Sequence, residues 1–72
     1  MKKSSLFFTV YIENEQLRDL EAVGTFDTIE EVRRFLNVSK GMLINNGLRK
    51  KVNLRLKLKI KDEIYYIIID SE

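Results

Sequence analysis

The chain contains no cysteine and no histidine, and those two absences remove much of the chemistry a small protein can carry. Without thiols there is no disulfide framework, no redox couple and no sulfur-ligated zinc. Without imidazole, a general base near neutral pH would have to be a strongly shifted carboxylate or lysine, and a metal would have only carboxylates to bind. No carboxylate interrupts the apolar stripes described below, so no catalytic residue, cofactor or metal is expected and the chain reads as a non-enzyme. Glycine is equally sparse: Gly24, Gly41 and Gly47 stand far apart and form no phosphate-cradling loop. Long apolar runs are missing too, since none approaches the roughly 18 to 20 residues a membrane span requires. Met1-Lys2-Lys3-Ser4-Ser5 followed by Leu6-Phe7-Phe8 opens like a leader, but Thr9, Tyr11, Glu13 and Asn14 break the run. The expectation is a soluble, cytoplasmic protein with no membrane contact, and the lack of thiols fits a reducing compartment.

What remains is 72 residues, 44% of them apolar, enough for one small domain over 1–72. A chain of this size buries only about 60% of the surface its unfolded form exposes, so its core is thin and a homodimer is an open possibility. The net charge is only +2, but its distribution is uneven. Between Val32 and Lys61 there are ten basic residues and no acid, leaving all eleven acids elsewhere. Such a block attracts anions if the fold does not bring acids beside it.

Hydrophobic periodicity divides the chain into six elements. Residues 6–12, Leu-Phe-Phe-Thr-Val-Tyr-Ile, have strand composition and run into a polar turn at 13–16. Leu20, Ala22, Gly24 and Phe26 alternate with Glu21, Val23 and Thr25, predicting a second, weaker strand whose glycine suits a bulge; a helix over 17–23 competes. Asp27 with Glu30, or Thr28 with Glu31, has capping-box spacing, and Ile29, Val32, Phe35 and Leu36 form one helical stripe. Asn37 suits the helix end, Ser39 can cap a second short helix carrying Met42 and Leu43, and Asn45-Asn46-Gly47 signals its stop. Val52, Leu54, Leu56, Leu58 and Ile60 then alternate with Asn53, Arg55, Lys57 and Lys59. Ile64 to Asp70 closes the chain as a strand apolar on both faces, the pattern of a central or partner-covered strand. Tyr65 and Tyr66 must point to opposite sides of it. The fold class is α+β, two antiparallel hairpins flanking a short helix pair in the order β-β-α-α-β-β.

The segment 28–48, and Leu36-Asn37-Val38-Ser39 in its turn, resembles the helix-turn-helix units of small phage and bacterial DNA-binding proteins. Arg33 stands where such units usually carry a small residue, and Asn46 where they carry an apolar one. The resemblance implies a second helix that enters the major groove of duplex DNA, with Lys40, Gly41, Ile44 and Asn45 nearest the bases. It also makes a winged arrangement, with the C-terminal hairpin as the wing, one form the element order permits.

A second candidate interface comes from periodicity alone. Arg55, Lys57 and Lys59 share one strand face, Lys51 and Asn53 continue the row, and Arg49 and Lys50 extend it into the preceding loop. Such a row suits successive phosphates, and Arg55 can also offer a bidentate fork. The competing reading is a solvated row that keeps the sheet from aggregating, or one neutralised across the sheet by Asp19 and Glu21. An exposed ring beside the row would favour single strands. The leading expectation is a nucleic-acid-binding or regulatory accessory protein, duplex DNA favoured. The alternative is a protein-interaction module of phage or bacterial type, an inhibitor or assembly factor, acting through its C-terminal strand or helix surface.

Overall fold

A computed structural model describes residues 6–14, 16 and 19–71. The basic residues at the start of the leader-like segment, and Leu17 of the competing helix, lie outside these. The element order is β1 (Leu6–Asn14), β2 (Asp19–Phe26), α1 (Ile29–Leu36), α2 (Lys40–Asn45), β3 (Arg55–Ile60) and β4 (Glu63–Ser71). All four strands form one antiparallel sheet in the order β2-β1-β4-β3. The expected α+β architecture is therefore present, and residues 19–23 are strand, not helix.

Both helices lie on the same face of the sheet. Alternate residues Phe8 and Val10 of β1, Leu58 of β3, and Ile67 and Ile69 of β4 meet Val32, Leu36, Leu43 and Leu48 in a single buried cluster. The molecule measures 45 × 26 × 17 Å, a thickness that accommodates one sheet and one helical layer. Among the described residues, no helix or strand covers the other sheet face.

Local chemistry sets the ends of the helices. Thr28 is the N-cap of α1: its Oγ1 accepts from the Glu31 amide at 3.2 Å, and Glu31 Oε1 accepts from the Asp27 amide at 3.1 Å. Of the two capping pairs the sequence allows, the later one forms. Asn37 is left-handed (φ 57°), and the Val38 amide donates to the Arg33 carbonyl at 3.1 Å, a Schellman closure that folds Val38 back onto the core. Ser39 caps α2 by accepting from the Met42 amide at 3.1 Å. The helix closes the same way as α1: Gly47 is left-handed, and the Leu48 amide donates to the Leu43 carbonyl at 3.0 Å. That closure leaves Leu48 buried beneath the helix pair.

Strand β3 starts later than its alternation predicts. Residues 51–54 form a turn closed by the Leu54 amide on the Lys51 carbonyl at 3.2 Å, with Asn53 left-handed at φ 68°. The Asn53 amide donates to the Ile69 carbonyl at 2.8 Å, and the Ile69 amide donates to the Leu54 carbonyl at 3.0 Å. Two residues thus oppose one, a bulge with its left-handed residue first. Consequently Val52 is exposed instead of core-facing, and Lys51 and Asn53 do not continue the basic row, which is a correction to the sequence reading.

Candidate nucleic-acid interface

The open sheet face is built by the residues that alternate with the core. On β3 these are Arg55, Lys57 and Lys59, all exposed. The two-residue loop Lys61-Asp62 fixes the register, setting Arg55 opposite Ile68, Lys57 opposite Tyr66 and Lys59 opposite Ile64. On the far side of β4, Ile68 pairs with Thr9 and Tyr66 with Tyr11 of β1. Crossing from the β3 edge, each row therefore begins with a cation and continues on β4 through a half-buried apolar or aromatic side chain. Thr9, at the centre, is buried to 8% exposure although no helix lies over it.

The face is concave. A pocket of about 230 Å³ is lined by Arg55, Leu56, Lys57, Tyr66 and Ile68 together with Leu20 of the opposite edge strand. A bulge in the β1–β2 ladder between Val10 and Tyr11 leaves Val23 without a cross-strand partner and bends this hairpin. At the pocket side, Tyr66 Oη donates to Glu13 Oε1 at 3.1 Å. That bond fixes the ring and occupies one of the two acids that the described strand residues place on the open face, Asp70 being the other by strand alternation.

Among the described residues, no acid neutralises the basic row. Among the described residues the ion pairs join Glu30 to Arg33 and Arg34 on α1, and none reaches Arg55, Lys57 or Lys59. Asp19 and Glu21 cannot pair across the ladder with the row, because β2 and β3 are opposite edges of the sheet.

The nine sequence candidates fall into three places. Lys40, Ile44 and Asn45 are exposed on α2, within the helix layer. Arg49, Lys50 and Lys51 are exposed in the loop that leads from that layer to the sheet. Arg55, Lys57 and Lys59 occupy the opposite sheet face. The helix pair and the basic row thus do not form one surface. The C-terminal hairpin is built into the sheet, with β4 bonded on both sides. The same double pairing shows β4 to be a central strand with no free edge.

The sequence left open which ring stands beside the row, Tyr66 with Tyr11 beyond it, and it did not point to Ile64, Ile68 or Leu20 as companions. Its usable signal was hairpin parity: once the loop is two residues long, Tyr66 must lie opposite Lys57. Tyr65, by contrast, packs against the core on the helix side. Compared with family models, curated proteins and solved structures, the chain matches none of them.

Proposed function

We propose that this chain is a non-catalytic nucleic-acid-binding protein that contacts the phosphate backbone through Arg55, Lys57 and Lys59, with Arg49, Lys50 and Lys51 as flanking contacts. The observation that carries this reading is the alignment of three exposed cations on one strand face without an ion pair among the described residues. Alternate residues on a strand are about 6.6 to 6.8 Å apart, a spacing that lets a cation meet successive phosphates of an extended backbone. Each contact releases condensed counterion, so affinity falls with salt.

The test is a fluorescence-anisotropy titration of labelled oligonucleotides at two or more salt concentrations. For the Lys57→Ala/Lys59→Ala variant, affinity drops and the slope of log K against log salt becomes shallower by about 1.4 to 1.8, the loss of two phosphate contacts. Unchanged affinity and slope would reject the role of the row.

A second reading has its own support. Lys40, Ile44 and Asn45 are exposed together on a helix capped at both ends, as duplex recognition by a helix pair requires. With six residues, α2 is only about 9 Å long, short for reading several base pairs. Substituting Asn45 distinguishes this reading, because a base-contacting residue alters preference between duplex sites and not total affinity alone.

A further inference from the structure

We propose that the ligand of the open face is a single strand of nucleic acid, its phosphates following β3 and one base stacking on Tyr66 in the concave pocket. This inference rests on the nucleic-acid reading above and adds to it the kind of strand.

Three observations lead there. First, the face is graded. Exposed cations occupy the β3 edge, and Ile64, Tyr66 and Ile68 follow immediately on β4, with Tyr11 beyond. A single strand is graded in the same sense, with charge along its backbone and flat apolar rings to one side. A duplex turns its bases inward and presents phosphate outward, so it would satisfy the edge and leave the apolar rows uncovered.

Second, the pocket has the scale of one ring. Its volume of about 230 Å³ lies below the roughly 300–1,000 Å³ of clefts that hold drug-sized ligands. Leu20, Ile68 and the Tyr66 ring give it apolar walls, while Arg55 and Lys57 stand at its β3 side. Aromatic stacking of this kind tolerates any base, because every base has a π-face.

Third, Tyr66 is held in place. Its hydroxyl donates to Glu13, so its one proton is engaged and the ring is anchored at its polar end. A second copy of the chain is the less favourable occupant. Face-to-face pairing would bury three cations from each chain, against Glu13, already engaged, and Asp70.

The experiment uses the full chain with labelled oligo(dT), oligo(U) and a mixed-sequence duplex of equal length. The expected result is tighter binding of the single strands than of the duplex. Tyr66→Leu, which keeps apolar volume but removes the ring, weakens single-strand binding about 5- to 150-fold, the effect of one lost stack, and leaves the salt slope unchanged. Tyr66→Phe, which keeps the ring but loses the bond to Glu13, loses much less affinity than Tyr66→Leu. Because the chain has three tyrosines and no tryptophan, tyrosine emission should also fall on adding oligo(dT). This wild-type readout stands even if Tyr66→Leu fails to fold.

Comparison of oligo(dT) with oligo(U) shows whether a 2′-hydroxyl is required; binding of either supports the proposal. Duplex preference, or normal single-strand binding by folded Tyr66→Leu, overturns the stacking inference while the phosphate reading survives on the lysine variant. Absence of binding to all three probes overturns both. A doubled mass in sedimentation that Tyr66→Leu returns to the monomer assigns the face to self-association and likewise overturns the inference.

Discussion

Tyr66 on β4 donates its phenolic hydrogen to Glu13 on β1 across 3.1 Å, a side-chain bond that ties distant parts of the chain together on the open face of the sheet. The two residues are separated by 53 positions in sequence, so the bond exists only once β1 and β4 have paired. Tyr66→Phe removes it and keeps the ring. Since a net side-chain hydrogen bond contributes about 0.5 to 1.5 kcal/mol, the variant should lose that much stability, read as a lower urea midpoint with an unchanged denaturant slope. A changed slope would mean that the sheet itself had rearranged.

Gly47 ends α2 with φ at 104°, a conformation that side-chain-bearing residues rarely adopt. An added methyl would meet Leu56 Cδ1 at 3.8 Å, an ordinary contact, so the cost of Gly47→Ala lies in the backbone and not in a clash. We expect a loss of about 1 to 2 kcal/mol. In a domain this small each kcal/mol lowers Tm by about 4 to 8 °C, which calorimetry resolves readily.

Much of this fold was legible because the strong signals were local. Thr28 with Glu31, Asn37, Ser39 and Gly47 each sit where capping chemistry puts them, and the strand alternation of 55–60 is intact. The start of β3 was not legible. Val52 and Asn53 continue the alternation in sequence, but Asn53 turns left-handed because its amide and that of Ile69 form a two-against-one bulge, a contact made 16 residues away. The candidate site was half legible for the same reason. Periodicity puts Arg55, Lys57 and Lys59 on one face, but their aromatic neighbours depend on register, and the separation of β2 from β3 depends on strand order. Neither is a property of any one segment.

The β3–β4 loop is poorly served by its own residues. Lys61 and Asp62 have φ of 48° and 69°, the positive pair that a two-residue type I′ hairpin demands and that Asn-Gly accepts at least cost. Lys61→Asn/Asp62→Gly should therefore stabilise the protein by about 1 kcal/mol, raising Tm without altering the Lys57–Tyr66 register. Thermal unfolding measures the gain. A lower Tm would show that the side chains removed contribute more than the turn strain they impose.

Acid sensitivity should be detectable at the exposed face of α1. Glu30 has its pKa lowered from 4.5, first by the hydrogen bonds from Arg33, whose Nε lies 2.9 Å from Oε1, and then by the charges of Arg33, Arg34 and Lys40. Arg33 is correspondingly raised. A carboxylate with a depressed folded-state pKa contributes its stabilisation in full above the unfolded value and loses it as pH falls through the folded one. The side chains are exposed, so the effect on stability is small and salt-screened. A carboxyl NMR titration should place the Glu30 midpoint below 4.5 and return it upward in Arg33→Ala. A midpoint unmoved by that substitution would assign the shift to the helix N-terminus and not to Arg33.

Gly24 answers to packing instead of backbone angle. It lies opposite Val10 on β2, and a methyl placed there would come within 2.6 Å of Phe26 Cζ and 2.8 Å of Cε2, so the Phe26 ring lies over the glycine. The same ring meets Phe35 of α1 with centroids 5.0 Å apart and planes at 41°. Gly24→Ala must push Phe26 off this position and disturb the contact that holds α1 to the edge strand. The expected cost is about 1 to 3 kcal/mol. Phe26→Leu removes the obstructing ring, so the double variant should be less unstable than the two single losses added together, by about 0.5 kcal/mol or more. Additive losses would show that Gly24 is required for some reason other than the ring above it. Because Gly24 pairs with core-facing Val10, a folded Gly24→Ala protein should keep the salt slope of nucleic-acid binding. That outcome would separate the packing of the helix layer from the chemistry of the open face.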